Sequence, residues 1–344
     1  MIYKKAQLVR ILNEAMLAVS RVGHVPMYNC VYFKDGMIYA QNGRMFYQRR
    51  FESDLNLLVP AYKLRAIIAK MGEEISLTHK NKSLIIESDN NITKLNSLET
   101  PRKYSIPSFD GHSTFYAPDR LIEAIEATLP FVSLDLTDTT ILGVHLNGGN
   151  AYTTDRKRAT MVPVTEEDSF PTEPVTVTRE ACMALYQIGP PDKITFSDTN
   201  IIFKYEEEDK IIVSSLVDMP FPQVAIDATK ASVDDRKKVV FPDDITLPIL
   251  RVSRTIPIEE PAIRVMSNGT GTLYLSSESA AVGSSEEVLS INSNVEFEFL
   301  INPRYLLDIF RFCKTMYYKT ADKPLIFQEN SFTCYIAPIL PKEE

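Results

Sequence analysis

The chain has 344 residues and a formal charge of −8, with 44% apolar and 24% charged residues, so it is an ordinary globular composition long enough for two or three domains that each bury a core. The acidic balance excludes a surface coated throughout in nucleic acid but leaves room for a local basic face. No apolar run is long enough to span a bilayer and residues 1–20 carry no signal-peptide pattern, so the sequence reads as cytoplasmic.

Residues 3–22 predict the first helix. Leu8, Leu12, Ala15, Met16 and Val19 recur at helical spacing, and Lys4, Lys5, Arg10 and Arg21 accompany a single acid, Glu14. Strands follow at 28–33 and 37–40 about an Asp35-Gly36 turn, and at 45–51 after Asn42-Gly43. Residues 57–98 then run through an apolar triplet, Pro60, a short amphipathic helix with Lys63, Arg65 and Lys70, and a β-hairpin. Residues 101–111 read as a linker.

The next stretch opens on Ala117-Pro118-Asp119 and an acidic helix over 120–128 with Glu123 and Glu126. Strands are predicted near 141–146 and 151–153, followed by a basic loop, Asp155-Arg156-Lys157-Arg158. Residues 175–216 repeat the order of apolar triplet, cap (Thr178), helix and hairpin. Residues 224–238 are polar without a clear period and read as a link. A helix from 243 or 244 to 254 carries Arg251 and Arg254, and Pro248 either kinks it or moves its start to about Leu247. Strands follow at 262–267, 272–276 and 296–301.

Residues 299–340 state the repeated pattern most plainly. Asn302 is placed to cap a helix whose first position is Pro303, where the missing N–H costs nothing. Leu306, Leu307, Phe310 and Cys313 form its apolar stripe, Arg304, Arg311 and Lys314 lie off it, and strand-like runs cover 324–328 and 332–336. The three copies recur about every 120 residues, the size of a small domain. Tyr39, Tyr152 and Tyr274 echo one another in the strands that precede them. The expected architecture is α+β: three tandem copies of a unit of two helices and antiparallel sheet, at 1–112, 113–225 and 226–344.

Four of the six predicted helices carry a surplus of Lys and Arg in an acidic chain. Such a face suits sequence-blind contact with a polyanion, since duplex DNA presents about one charge per 1.7 Å. The plain alternative is a solvated face of an amphipathic helix. Chemistry is sparse. Cys30, Cys182, Cys313 and Cys334 show no C-x-x-C and read as reduced core residues, and His24, His79, His112 and His145 stand apart without ligand spacing. No catalytic constellation, metal site or cofactor motif is present; Gly269-x-Gly271 reads as a hairpin turn and the acids at 206–209 as a charged hairpin tip.

The chain resembles the bacterial DNA polymerase III beta-subunit sliding clamp family over nearly its whole length. The resemblance rests on the three-unit order, on the Val59-Pro60 and Val177-Thr178 helix starts, and on Leu216-Val217-Asp218-Met219-Pro220-Phe221-Pro222, which is similar to that family's L-V-D-x-x-F-P segment. Thr154-Asp155-Arg156-Lys157-Arg158-Ala159 is similar to its T-D-G-H-R-L loop, and Tyr335-Ile336-Ala337-Pro338-Ile339-Leu340 to its C-terminal V-V-M-P-M-R-L. The resemblance implies a non-catalytic processivity factor without a cofactor: a head-to-tail homodimeric ring with helices inside and sheets outside, encircling double-stranded DNA. It further implies a pocket that takes linear peptides from the polymerase and clamp loader.

The implied DNA-binding residues are Lys4, Lys5, Arg10 and Arg21, then Lys63, Arg65 and Lys70, then Arg156 and Lys157, then Arg251 and Arg254, and finally Arg304, Arg311 and Lys314. The implied pocket residues are Thr154, Arg158 and Ala159 on one wall and Tyr335, Ala337, Pro338 and Ile339 on the other. The sequence departs from the family at Arg156-Lys157, Ala159 and Ala337, lacks a V-L-P match near 224–229, and has Thr139-Thr140 where the family tends to place paired tyrosines. These departures point to an altered peptide preference and, in the middle unit, to a DNA contact that is either weaker or taken over by Arg156 and Lys157. Two other classes remain beside this reading: an assembly protein that reuses the unit without DNA, and an enzyme with a site between units, which no residue constellation favours.

Overall fold

The computed structural model describes residues 1–21, 25–89, 91–98, 113–166, 170–256 and 261–339. The expected linker, His24, His112 and residues 340–344 lie outside these segments. In chain order the first third holds β1 (Ile2–Lys4), α1 (Lys5–Ala15), β2 (Cys30–Lys34), β3 (Met37–Gln41), β4 (Met45–Arg50), β5 (Leu57–Pro60), α2 (Ala61–Ile68), β6 (Glu74–Lys80), β7 (Ser83–Ser88) and β8 (Asn91–Asn96). The middle holds β9 (Ser113–Tyr116), α3 (Leu121–Thr128), β10 (Gly143–Asn147), β11 (Asn150–Thr154), β12 (Arg158–Pro163), β13 (Val175–Thr178), α4 (Arg179–Ile188), β14 (Lys193–Phe196), β15 (Asn200–Tyr205) and β16 (Lys210–Ser215). The last part holds α5 (Gln223–Thr229), β17 (Lys237–Val240), α6 (Thr246–Val252), β18 (Ile263–Asn268), β19 (Thr272–Ser279), β20 (Gly283–Ser290), β21 (Glu296–Ile301), α7 (Pro303–Ile309), β22 (Thr315–Tyr318), β23 (Leu325–Glu329) and β24 (Phe332–Ile336).

The chain divides into two units, Met1–Ile122 with Val177–Asp218 and Glu123–Thr176 with Met219–Glu344. The first contains a four-stranded sheet, β1-β6-β7-β8, and an eight-stranded sheet, β5-β2-β3-β4-β16-β15-β14-β9. The second contains a four-stranded sheet, β20-β19-β18-β21, and an eight-stranded sheet, β13-β10-β11-β12-β24-β23-β22-β17, whose edge strand β13 lies where the chain passes between units. β4 pairs antiparallel with β16, and β12 with β24, each joining strands far apart in sequence.

The repeated stretches take one form: β5–α2–β6–β7–β8, β13–α4–β14–β15–β16, and β21–α7–β22–β23–β24. One isolated bridge closes each, Leu58 to Leu98, Val177 to Leu216 and Leu300 to Ile339. Three strands follow each helix where the sequence predicts a hairpin of two. The extra strands are short and polar (β8) or follow directly on the helix (β22), so neither alternates strongly enough to register as a separate run.

The helix ends follow local chemistry. The Asn302 side chain accepts the Arg304 N–H at 3.0 Å and Pro303 occupies the first position of α7, as expected. Thr178 caps α4 by accepting the Ala181 N–H, and Gly189, at φ +100°, ends that helix in a conformation L side chains rarely adopt. In α6 the start moves to Thr246, so Pro248 falls in the first turn, where backbone N–H groups have no intrahelical acceptor to lose. α1 buries Leu8, Ile11, Leu12 and Ala15 and packs beside α2, which buries Ala61, Leu64 and Ile68. α6 buries Ile249 and Val252 beside α7, which buries Leu306 and Ile309. In the second unit Phe241 packs against Phe310 at 5.0 Å between ring centroids and against Phe297 at 6.2 Å.

One expectation is corrected. Residues 224–238 are not a featureless link, because α5 and β17 lie in this region. Phe221, Ala225 and Ile226 bury themselves against Tyr152 and Ala159. That tertiary contact supplies the stability that a seven-residue helix lacks by itself.

Candidate functional site

Lys4 and Lys5 stand at the N-terminus of α1, the positive end of the helix dipole, where acids are the stabilising choice. Lys5 Nζ donates to the Met71 carbonyl at 2.9 Å, whereas Lys4 is exposed. Lys63, Arg65 and Lys70 are exposed on and just after α2, and Arg65 Nε donates to Asn13 Oδ1 of α1 at 2.6 Å. α1 and α2 therefore present their basic side chains from one packed pair of helices. Arg21 is exposed beyond the end of α1.

Beside this helix pair lies an ion network that the sequence does not announce. Glu14 Oε2 accepts from Arg49 Nη1 at 2.8 Å, from Tyr47 Oη at 3.1 Å and from Lys210 Nζ at 3.4 Å. Glu208 receives Arg49 at 2.8 Å, Lys210 at 2.6 Å and Arg10 at 3.1 Å. Three cations thus share two carboxylates. Arg49 and Lys210 are buried, while the Arg10 side chain stays 59% exposed. Burial works to raise the Glu208 pKa, but the hydrogen bond and charge of Lys210, with Arg49 and Arg10, hold it below the usual carboxylate value. The network borders a cavity of about 740 Å³ lined in part by Val9, Asn13, Leu17, Ile188 and Tyr205.

In the second unit Arg251 makes a bidentate pair with Glu287 of β20, at 2.6 and 2.8 Å, and Arg254 is exposed. Arg304 and Arg311 are exposed at the two ends of α7, with Arg311 3.8 Å from Glu126. Lys314 is half-buried with Nζ over the Phe310 ring, and burial lowers its pKa. Arg156 donates from Nε to Asp138 Oδ2 at 2.7 Å, and Lys157 is exposed beside it.

The two walls expected of a peptide pocket do meet, through the β12–β24 pairing that sets Arg158 opposite Ile336 and Ala159 opposite Tyr335. The Thr154 hydroxyl donates to the Arg158 carbonyl at 2.6 Å and accepts the Arg156 N–H at 3.1 Å, which fixes the turn between β11 and β12. Arg158 is turned inward. Its guanidinium binds Asp155 at 2.9 Å and Asp308 of α7 at 2.8 Å, and lies over the rings of Tyr305 at 4.1 Å and Phe131 at 4.7 Å. Ala159 is buried under Phe221, Ala225 and Ile226, with Met161, Ala228 and Tyr335 half-buried at the margin. Ala337 is exposed, Pro338 half-buried, and Ile339 is 41% exposed with its N–H donating to the Leu300 carbonyl at 3.0 Å.

No protein-family model and no curated protein matches the sequence. Solved structures do match it. A DNA polymerase sliding clamp from Bacillus subtilis superimposes with a TM-score of 0.83 at 17% identity, covering 99% of this chain and 98% of its own. A sliding clamp (DNA polymerase III subunit beta) from Bartonella birtlesii, bound to griselimycin, gives 0.86 at 22% identity, with 99% of each chain covered. The DNA polymerase III subunit beta from Pseudomonas aeruginosa gives 0.82 at 17%, over 98% and 99%.

The chain has the sliding-clamp fold.

Within this clamp fold the β12–β24 pair brings Arg158 and Ala159 beside Tyr335, with Thr154 at the end of β11 and Ala337, Pro338 and Ile339 just past β24, and basic residues gather on two packed helix pairs. The fold also recruits residues that carry no local signal of a site. In the sequence Glu208 reads as part of a charged hairpin tip and Glu14 as a lone acid on a basic helix, while Arg49 and Lys210 carry no signal, because their partners lie up to 196 residues away. α5 had a signal in Phe221, Ala225, Ile226 and Thr229, which recur at helical spacing. His145 is buried and stacks on Phe221 at 4.6 Å, with Nδ1 3.0 Å from Thr176 Oγ1, and burial lowers its pKa to about 4. Among the described residues no group of His, Cys, Asp and Glu is arranged to hold a metal ion, and no helix is long and apolar enough to cross a membrane.

Proposed function

We propose that this clamp-fold chain is a non-catalytic, cytoplasmic DNA sliding clamp: two copies close head to tail into a ring around duplex DNA and tether a DNA polymerase and a clamp loader through linear peptides. Three clamp domains per chain, at 1–112, 113–225 and 226–344, belong to the same reading. The sheet topology carries it. β4, the last of the strands β2-β3-β4, pairs with β16, the last strand of one repeated stretch; β12, the last of β10-β11-β12, pairs with β24 in the same way. That leaves two four-stranded sheets, β21-β18-β19-β20 ending on β20 and β1-β6-β7-β8 ending on β8, and among the described residues both of these edges are open. Two four-stranded halves with complementary open edges call for a second copy, and an unpaired edge is otherwise an aggregation hazard.

The basic helices support the DNA contact. Lys63, Lys70, Arg254 and Arg304 are exposed and have no ion-pair partner among the described residues, so they are free to meet phosphates. The pocket reading rests on the half-buried margin of Tyr335, Met161 and Ala228 above Ala159. Pairing of Arg10, Arg156 and Arg251 with carboxylates favours a second reading, a clamp-fold assembly protein that holds no DNA. Retention on closed circular DNA separates the two. A ring stays on the circle and slides off once the circle is cut; equal retention on circular and linear DNA, or none on either, overturns the encircling clamp.

A further inference from the structure

The two open edges carry enough information to set the register in which they would meet. The Ser97 N–H donates to the Lys82 carbonyl at 3.0 Å, continuing the β7–β8 register in which Ser83 faces Asn96. Hydrogen-bonded pairs alternate along an antiparallel ladder, so Ile92, Lys94 and Asn96 turn their backbone N–H and C=O away from β7 toward the open side. The Ile291 N–H donates to the Gly271 carbonyl at 2.9 Å, continuing the β19–β20 register in which Thr272 faces Ser290. By the same alternation Ser284, Glu286, Val288 and Ser290 turn outward from β20.

The side chains of these same residues agree with that assignment. Ile92, Lys94 and Asn96 are all exposed, while Leu95 between them is buried. Ser284, Glu286, Val288 and Ser290 are exposed, while Ser285, Glu287 and Leu289 are half-buried on the face where α6 packs and Arg251 holds Glu287. Joined as one sheet, the two strands would keep exposed side chains on one face and half-buried ones on the other. Only registers that pair outward residues with outward residues satisfy the backbone.

Among those registers one matches the side chains. Ile92, 70% exposed, set opposite Val288, 58% exposed, puts Lys94 opposite Glu286 and Asn96 opposite Ser284. A shift of two residues one way sets Lys94 against Val288 and Ile92 against Ser290; the other way sets Ile92 against Glu286. Lys94 and Glu286 have no ion-pair partner within their own chain among the described residues. We infer that β8 of one copy pairs antiparallel with β20 of a second copy in the register Ile92–Val288, Lys94–Glu286, Asn96–Ser284. This rests on the head-to-tail reading above and specifies its joint.

Sedimentation and oxidative cross-linking of the full chain test it. In the wild type, a monomer at every concentration overturns both the joint and the ring. Given a dimer, Lys94→Glu alone and Glu286→Lys alone each weaken dimerisation by at least about tenfold through a like-charge contact, and the double exchange restores it to within about threefold. A dimer whose double exchange stays as weak as the single variants overturns the register and leaves the ring standing. Independently, Lys94→Cys with Glu286→Cys forms an intermolecular disulfide, because directly paired Cα atoms lie about 5.5 Å apart. Faster bridging by Lys94→Cys with Val288→Cys, or a bridge within one chain, also overturns the register.

Discussion

Replacing Arg158 with Met distinguishes a ligand-facing arginine from a strut. The side chain is 5% exposed and holds Asp155 and Asp308, whose side chains are 16% and 20% exposed. Met fills much of the volume but leaves both carboxylates without their cation. Removing one partner of a buried ion pair costs about 3–5 kcal/mol, and the partial exposure of the two acids sets the lower end, about 3 kcal/mol. Stacking on Tyr305 and Phe131 contributes about 1 kcal/mol more. For a unit of this size each kcal/mol moves Tm by roughly 2–4 °C, so scanning calorimetry shows a transition lowered by about 10 °C. Arg158→Lys falls between, because an ammonium cannot fork to two carboxylates and stack at once. Adding Asp155→Asn and Asp308→Asn to Arg158→Met recovers part of the loss, since no buried charge is then unpaired. A transition shifted by less than about 2 °C, with partner-peptide binding abolished, refutes the strut and makes Arg158 a ligand group.

His145 predicts a pH dependence in the second unit. Its folded pKa of about 4 lies below the ordinary value of 6.5, so its contribution is fully present above pH 6.5 and is lost as pH falls toward 4. At about 1.4 kcal/mol per unit this amounts to roughly 3 kcal/mol, and His145→Asn flattens the dependence in chemical denaturation; an unchanged slope refutes the assignment. Ile226→Ala, at a site 3% exposed, costs about 2–4 kcal/mol, whereas Val224→Ala, at a site 75% exposed on the same helix, changes stability by less than about 0.5; equal effects in urea unfolding mean α5 does not pack as described. Ala substitutions at Lys63, Lys70, Arg254 and Arg304 together reduce the slope of log affinity for DNA against log salt by up to about 3.6, while the same number of changes that includes Arg10 and Arg251 reduces it less, because those cations already sit on carboxylates. Identical slopes for the two sets count against the helices as the DNA-facing surface.

What the sequence determined by itself is local and periodic. Asn302 and Pro303 start α7 because a side-chain acceptor and a fixed φ act within three residues, and the stripe of Leu306 and Phe310 needs only helical spacing to be read. The threefold recurrence of strand, helix and strands was legible for the same reason, since each copy repeats its own short-range signals. Tertiary structure alone decided the rest. β8 and β20 are polar enough to escape a pattern search, and they become strands because β7 and β19 offer them a ladder. α5 is too short to hold itself and forms because Phe221, Ala225 and Ile226 find Ala159 beneath them. Glu14, Arg49 and Lys210 look like ordinary surface charges until folding removes them from water together; burying any one alone would be too costly, so their meeting depends on α1 and two strands far apart in sequence, β4 and β16, arriving at the same place.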